Sequence, residues 1–262
     1  MKTQKILLLF VLFLGTTSIM TAQKSKKEST TQNKTVTFYI ARHGKTMLNT
    51  LDRVQGWSDA PLTPEGIAVA EYLGKGLKGI EFKAAYTSDL GRATQTTNIV
   101  LKAKGEKKIP ITETEGLRET NFGSYEGDLN SKMWGDIALY LHFKNTDDLF
   151  ANVKLSGVEE PLRVVKILDK LNMAEDYEQV RTRTQNALRA IAEKEAANGG
   201  GNVFVVGHGM AIGTMLSNIT GVEVATPHMA NASVCKVVYE EGKFTVVSFG
   251  DTSYVEKGKK EL

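Results

Sequence analysis

The chain has 262 residues, of which 24% are charged and 41% are hydrophobic, and its formal net charge is +3. This composition is typical of a soluble globular protein, and the length allows one or two domains with a core of useful size. The charge is too small to indicate nucleic acid or a membrane surface as a partner, so we expect neither.

The first 22 residues have the pattern of a cleaved signal peptide. Lys2 and Lys5 precede an unbroken apolar run over 6–14, and small residues follow up to Ala22. The run is shorter than the ~20 residues that span a bilayer, so we expect no stable membrane anchor after cleavage, although an anchor and a buried N-terminal strand are the alternatives. The polar residues 23–35 are predicted to be a flexible tether. The sequence therefore predicts an exported protein, periplasmic or secreted.

Strand and helix patterns alternate from residue 36 onward. Strands are predicted near 36–40, 83–87, 109–112, 202–206, 233–239 and 243–249. Helices are predicted to start at Thr63-Pro64, to follow a Ser88 or Asp89 cap as far as about Leu101, and to span roughly 176–197 and 210–219. This alternation predicts an α/β fold for 36–262, a three-layer α/β/α sandwich with a mostly parallel central sheet. Residues 124–175 are less regular and are predicted to be a helical insertion over the active-site end.

Two of the four histidines directly follow predicted strands. His43 ends the first strand, His208 ends the run over 202–206, and a glycine comes after each. Because ligands bind beyond the carboxyl ends of strands in open α/β sheets, both histidines are predicted to point into one crevice. Each glycine is expected to let the backbone turn sharply and a ligand approach closely. His142 is expected to pack within the insertion, and His228 to lie in a turn.

Two arginines are placed to bind an anion in this crevice. Arg42 precedes His43, and Arg92 lies in the first turn of the helix after the second strand. Guanidinium groups donate paired hydrogen bonds to phosphate and keep their charge, as phosphoryl transfer requires. No residues have metal-ligand spacing, and the single cysteine, Cys235, is predicted to be a buried structural thiol. We therefore expect neither a metal nor a cofactor.

Five sequence blocks stand in a characteristic order, within about 36–249: Arg42–Asn49, Gln55–Gly66, Ser88–Ala93, Leu117–Gly127 and Val205–Gly209. Together they resemble the histidine phosphatase superfamily, in its phosphoglycerate-mutase-like branch. The resemblance implies that His43 attacks phosphorus and that Glu119 protonates the leaving oxygen. It also implies binding roles for Arg42, Arg92, His208, Asn49, Gln55, Gly56 and Gly209. Glu113, Glu115 and Glu126 lie close enough in sequence to be alternative acids.

The blocks also differ from two branches of that family. The acid-phosphatase branch has Arg and Pro after Arg-His-Gly and a later His-Asp, where this chain has Lys45-Thr46 and His208-Gly209. Residues 128–175 do not resemble the longer insertion of glycolytic mutases. The resemblance therefore favours a phosphomonoesterase acting on a small phosphorylated substrate. A phosphomutase and a non-catalytic module that binds a phospho-ligand remain as alternatives.

Overall fold

The computed structural model describes residues 34–106, 108–152, 158–220 and 229–261. The predicted signal peptide, the tether up to residue 33, and His228 lie outside these residues. None of the described helices combines the length and the apolar composition that crossing a bilayer requires.

One sheet organises the described part of the chain. Its six strands are β1 (Val36–Arg42), β2 (Phe82–Ser88), β3 (Ile111–Thr114), β4 (Gly201–Gly207), β5 (Val234–Glu240) and β6 (Lys243–Asp251). Their order across the sheet is β3-β2-β4-β1-β5-β6. The neighbouring strands β3, β2, β4 and β1 pair in parallel, whereas β5 is antiparallel to β1 and to β6. The predicted mostly parallel sheet is therefore confirmed.

The helices in the described residues are α1 (Met47–Thr50), α2 (Pro64–Gly76), α3 (Gly91–Lys104), α4 (Asn130–Tyr140), α5 (Thr146–Asn152), α6 (Glu159–Leu168), α7 (Tyr177–Ala197), α8 (Gly209–Leu216) and α9 (Ser253–Lys259). The predicted start of α2 is confirmed, because the Thr63 hydroxyl accepts a hydrogen bond from the backbone N–H of Gly66. The predicted cap of α3 is wrong. Leu90 occupies that position without a capping side chain, and Asp89 binds Arg118 instead.

Alternating side chains of β1 show the three layers. Phe38 and Ile40 belong to a cluster that includes Leu188 of α7 and Ile212 of α8. Tyr39 and Ala41 belong to a second cluster, with Leu73 of α2, Val100 of α3 and Val255 of α9. Successive side chains of a strand point to opposite faces. Helices therefore cover both faces of the sheet, which is the predicted α/β/α arrangement.

The described residues between 124 and 175, here called the cap, have their own apolar core. The cluster includes Met133 and Ile137 of α4, Leu149 of α5, and Leu162 and Val165 of α6. Val54 and Phe122, which follow β1 and β3, belong to the same cluster. The carboxylate of Asp169 accepts hydrogen bonds from the backbone N–H groups of Ser124, Leu171, Met173 and Ala174. Through Val54 and Phe122, the cap packs against the segments that follow the carboxyl ends of β1 and β3.

The register of the central strands brings the predicted site residues together. Arg42 at the end of β1 lies opposite Gly207 at the end of β4. The backbone N–H of His43 donates to the carbonyl oxygen of Gly207 at 3.0 Å. Parallel strands present their carboxyl ends at one edge, so the residues that follow β1, β4, β2 and β3 all meet there.

Candidate active site

His43 is held in one tautomer. It is almost fully buried, and its Nδ1 lies 2.7 Å from the carbonyl oxygen of Gly44. A carbonyl oxygen can only accept, so Nδ1 carries the hydrogen and Nε2 has the free lone pair. Arg92 Nε donates to this Nε2 at 3.3 Å. Burial, with the charges of Arg92 and Arg42, holds the pKa of His43 well below its ordinary value.

His208 lies beside His43. The two ring centroids are 5.1 Å apart, and the planes are tilted by 58°. His208 is fully buried, and neither of its ring nitrogens has a hydrogen-bond partner in the described part of the chain. Burial and the nearby cations also hold its pKa well below the ordinary value. One nitrogen of a neutral imidazole is a donor, so His208 can donate to a ligand without carrying charge.

Arg92 is the most buried cation of the site, with 1% of its surface exposed. Its Nη1 donates to the Ser58 carbonyl and to the Asp59 carboxylate, at 3.1 and 3.0 Å. Its Nη2 donates to the Gly56 carbonyl at 2.7 Å. The guanidinium is therefore fixed by the loop that leads into α2, and its Nε points at Nε2 of His43.

Arg42 supplies a second cation. Its Nη1 donates to the carbonyl oxygen of Met229, and its buried Nε has no partner among the described residues. Gln55 has a similarly unpartnered Nε2, and its Oε1 accepts from the Thr46 hydroxyl at 2.6 Å. Buried donors without acceptors are rare and costly in folded proteins. These two donors and the His208 imidazole therefore form a surface suited to an anion.

Glu119 lies at the N-terminus of α8. Its Oε1 accepts from the backbone N–H of Thr120 and of Ala211, and its Oε2 accepts from that of Met210, at 2.9, 2.7 and 3.1 Å. Burial raises the pKa of the Glu119 carboxyl, against these three donors and the charge of Arg92. The group is thus poised to hold a proton more readily than an exposed glutamate.

A cleft of about 440 Å³ opens beside these groups. Arg42, Asn49, Gln55, Glu119 and Gly209 line it. Asn49 holds its Oδ1 toward the Thr46 backbone and donates from Nδ2 to Gln55, so it positions that residue as well. Gly56 is buried, and its contribution is the carbonyl that binds Arg92.

The glycines after the two histidines have a steric role. Neither Gly44 nor Gly209 has a positive φ, so neither position needs the left-handed backbone that favours glycine. The close approach of a ligand stays a prediction. A Cβ on Gly44 would lie 2.5 Å from the carbonyl oxygen of Gly66, and one on Gly209 would lie 3.2 Å from Nε of Arg42. Gly44 thus lets α2 approach the residue before it, His43, and Gly209 makes room for the guanidinium of Arg42.

Sequence reasoning missed the supporting roles of three residues, one of which, Glu126, it had named only as an alternative acid. Asp59 pairs with Arg92, and Asn231 donates to the backbone oxygen of His43 at 2.9 Å. Glu126 accepts from the backbone N–H groups of Phe122, Gly56, Trp57 and Ser58. Its carboxylate therefore shapes the loop that holds Arg92. Asp59 stands within a quoted sequence block, but nothing in the sequence shows its partner.

The remaining candidates lie apart from the histidines. Glu113 and Glu115 are exposed. His142, which follows α4, is exposed as well, so the expectation that it packs within the insertion is wrong. Cys235 is fully buried, as predicted, and burial raises the pKa of its thiol to about 12. Within the described ranges, no group of three or more His, Cys, Asp and Glu side chains could hold a metal ion.

Comparison with known proteins adds four findings. The family model described as "Histidine phosphatase superfamily (branch 1)" matches residues 38–252. A 2,3-bisphosphoglycerate-dependent phosphoglycerate mutase of Streptococcus pneumoniae is 30% identical over 196 residues, which are 71% of this chain and 84% of the relative. The crystal structure of a phosphoglycerate mutase from Bacillus anthracis matches with a TM-score of 0.82 and 41% identity, over 87% of this chain and 99% of that one. A phosphoserine phosphatase from Entamoeba histolytica, in complex with 3-phosphoglyceric acid, shares the fold with a TM-score of 0.64 and 24% identity, over 84% and 99%.

We expect His43 of the ligand-free protein to be a neutral Nδ1–H imidazole at about pH 6, where an ordinary histidine is mostly protonated. The reasons are the Gly44 acceptor and the lowered pKa, because a lowered pKa delays protonation until the pH falls further. Heteronuclear NMR of the imidazole nitrogens measures both the tautomer and the titration, and His43→Gln identifies the signal. Titration of His43 near its ordinary pKa, or an Nε2–H tautomer, would contradict this description of the site.

Proposed function

The chain belongs to the histidine phosphatase superfamily, and we propose that it is a metal-independent phosphomonoesterase that hydrolyses small phosphate esters through a phosphohistidine at His43. The state of His43 is the observation that carries the proposal. Its Nδ1–H is bound by Gly44, so Nε2 is an available nucleophile directly beside Arg92. The unpartnered donors of Arg42, Gln55 and His208 supply the groups that a phosphoryl anion needs.

In the first step of the proposed reaction, Nε2 of His43 attacks phosphorus and the ester P–O bond breaks. Arg42, Arg92 and His208 bind the non-bridging oxygens, whose negative charge is dispersed in the transition state. The leaving alkoxide oxygen takes the proton of the Glu119 carboxyl and departs as an alcohol. Dianionic phosphate offsets the two guanidinium charges, which otherwise favour ionised Glu119.

In the second step, water attacks the phosphohistidine and the N–P bond breaks. The Glu119 carboxylate left by the first step accepts the proton of that water, so the acid of one step is the base of the next. Inorganic phosphate leaves, and His43 returns to its neutral form. The positive charge comes throughout from arginine side chains, which is why we expect turnover in excess chelator.

The charges of the cleft favour hydrolysis over the phosphomutase reaction, in which the phosphoryl group is returned to another hydroxyl. Phosphoglycerate carries a carboxylate besides its phosphate, and moving that phosphate between two hydroxyls passes through a doubly phosphorylated acid. Such a ligand needs cations beyond those that bind one phosphate. Among the described lining residues Arg53 is the one cation besides Arg42, and one of its N–H groups donates to the Gly127 carbonyl. Because some relatives are named as phosphoglycerate mutases, the phosphomutase reaction is the alternative that experiments must exclude.

The direct test is turnover by the chain without residues 1–22, in the presence of EDTA. We expect inorganic phosphate to appear in step with loss of the ester, and acid-labile phosphate to be trapped on the protein after a rapid quench. His43→Ala should lose both signals, because it removes the nucleophile. His142→Asn is the matched control and should keep them, since asparagine tolerates the left-handed backbone found at that position, where φ is 62°.

Two results would reject the proposal. One is substantial phosphate release by His43→Ala. The other is isomerised phosphoglycerate formed without free phosphate, which would establish a mutase that keeps water away from the phosphohistidine.

Glu119→Gln tests the acid. An alkyl phosphate needs a protonated leaving oxygen, whereas p-nitrophenolate leaves nearly unaided, so we expect kcat/KM to fall by about 10²–10⁴-fold on alkyl phosphates and much less on p-nitrophenyl phosphate. Because burial raises the pKa of this carboxyl, wild-type hydrolysis of alkyl phosphates should persist above the pH at which an ordinary glutamate ionises and then decline as the pH rises. Exposed Glu113→Gln is the control. Equal losses on both substrates would show that Glu119 binds or orients instead.

We also propose that the protein is exported and that the mature chain begins at about Gln23. The charged, apolar and small-residue segments within the first 22 residues support this. Fractionation of a bacterial host followed by mass spectrometry should find the shortened chain outside the cytoplasm. Leu9→Arg, which interrupts the apolar run, should leave the full-length chain inside. An unprocessed wild-type chain in the cytoplasm would refute the proposal.

A further inference from the structure

The cleft changes character with distance from the phosphate-binding groups. Beyond Arg42, Gln55 and Glu119, its wall is formed mainly by apolar side chains. Prominent among these are Val54, Phe122, Met133, Trp134, Phe150 and Met210. A cavity of about 440 Å³ lies within the range of ordinary small-molecule sites. The part of a substrate that extends away from its phosphate therefore meets an apolar surface.

Part of this wall is explained by the folding of the cap. Val54, Phe122 and Met133 are almost fully buried members of the cap cluster, so their apolar character stabilises the cap in any case. Phe150 is different, because 54% of its surface is exposed. Its ring stands edge-on to that of Trp134, with centroids 5.0 Å apart. This aromatic pair therefore offers apolar surface that packing of the cap has left uncovered.

The polar groups in the wall are few. Arg53 and Asn130 are the described polar lining residues beyond the phosphate-binding end. Asn130 donates from Nδ2 to the Asp52 carboxylate at 2.8 Å, and Arg53 donates to the Gly127 carbonyl at 2.7 Å. One donor of each residue is therefore bound to the protein itself. A leaving group with several polar groups would lose water here and find only these two residues as partners, which is costly.

We propose that the preferred substrate is a phosphate monoester of an apolar alcohol or phenol, whose hydrocarbon part packs against Trp134 and Phe150. This rests on the proposed function, since it names the leaving group of that reaction. Burying a methylene is worth about 0.8 kcal/mol, which is roughly a fourfold change in an equilibrium constant. Each added methylene should therefore raise kcat/KM by about two- to fourfold until the cleft is filled.

A series of n-alkyl phosphates tests this, because their alcohols differ in length but hardly in leaving ability. From methyl to butyl phosphate we expect kcat/KM to rise roughly 10- to 60-fold, and 3-phosphoglycerate to be a poorer substrate than butyl phosphate. n-Alkyl phosphonates, whose P–C bond is not hydrolysed, give the same comparison by calorimetry without turnover. Their affinity should also rise with chain length.

Variants of the two aromatic residues test whether the dependence on chain length arises at Trp134 and Phe150. Phe150→Ala should reduce the ratio of butyl to methyl activity several-fold, and Trp134→Ala should do the same. Leu139→Ala is the matched control, because Leu139 lies on α4 like Trp134, is 74% exposed and is not among the lining residues. It should leave the ratio unchanged. Circular dichroism confirms that each variant is folded.

The outcomes separate this inference from the proposed function. Phosphonate affinity could rise with chain length while no ester is hydrolysed. That result would reject the proposed phosphatase activity but support an apolar ligand in the cleft. A flat phosphonate series, or a preference for 3-phosphoglycerate, would overturn the apolar leaving group even if esters are hydrolysed. A rising series that Phe150→Ala and Trp134→Ala do not reduce would overturn the assignment to the aromatic pair.

Discussion

The buried guanidinium of Arg92 fixes the groups around His43. With 1% of the residue exposed, each N–H that lacked an acceptor would cost about 1–3 kcal/mol. The chain supplies acceptors from the carbonyls of Gly56 and Ser58, the carboxylate of Asp59 and Nε2 of His43. Pairing a buried charge seldom adds net stability, so this arrangement is better explained by its effect on the imidazole. A fixed positive charge beside Nε2 opposes protonation of this nitrogen, which is the nucleophile of the proposed reaction.

The loop that binds Arg92 is itself fixed through its backbone N–H groups, which donate to Glu126. Arg92 donates hydrogen bonds to carbonyl oxygens of this loop. The carboxylate of Glu126 accepts hydrogen bonds from the backbone N–H groups of Gly56, Trp57 and Ser58. The same short segment is therefore bound through acceptors by a cation and through donors by an anion. Such a segment has little freedom to move, because displacing it would remove most of the hydrogen-bond partners of both charges. The geometry at His43 thus depends on Glu126, which follows β3 rather than β1.

The sequence could predict the layers and the convergence of residues, but not the contacts that hold them. Apolar runs that end in Arg42-His43 and Gly207-His208 indicate strand ends, and parallel pairing brings strand ends to one edge. The short helices α1, α5 and α9 were not predicted, because four to seven residues give little periodicity. The role of Glu126 depends on N–H donors from a segment about 70 residues away in the chain. From sequence alone it was an alternative acid, indistinguishable from Glu119.

Burial accounts for the protonation states of both groups in the proposed reaction. Desolvation disfavours whichever form is charged, so the same low-dielectric surroundings lower the pKa of His43 and raise that of Glu119. The imidazole remains a free base while the carboxyl tends toward the acid, which is the pairing that attack and leaving-group protonation require. The three backbone donors to Glu119 oppose this in the free protein. A phosphate dianion in the cleft disfavours a carboxylate beside it, so arrival of the substrate itself moves Glu119 toward the protonated form.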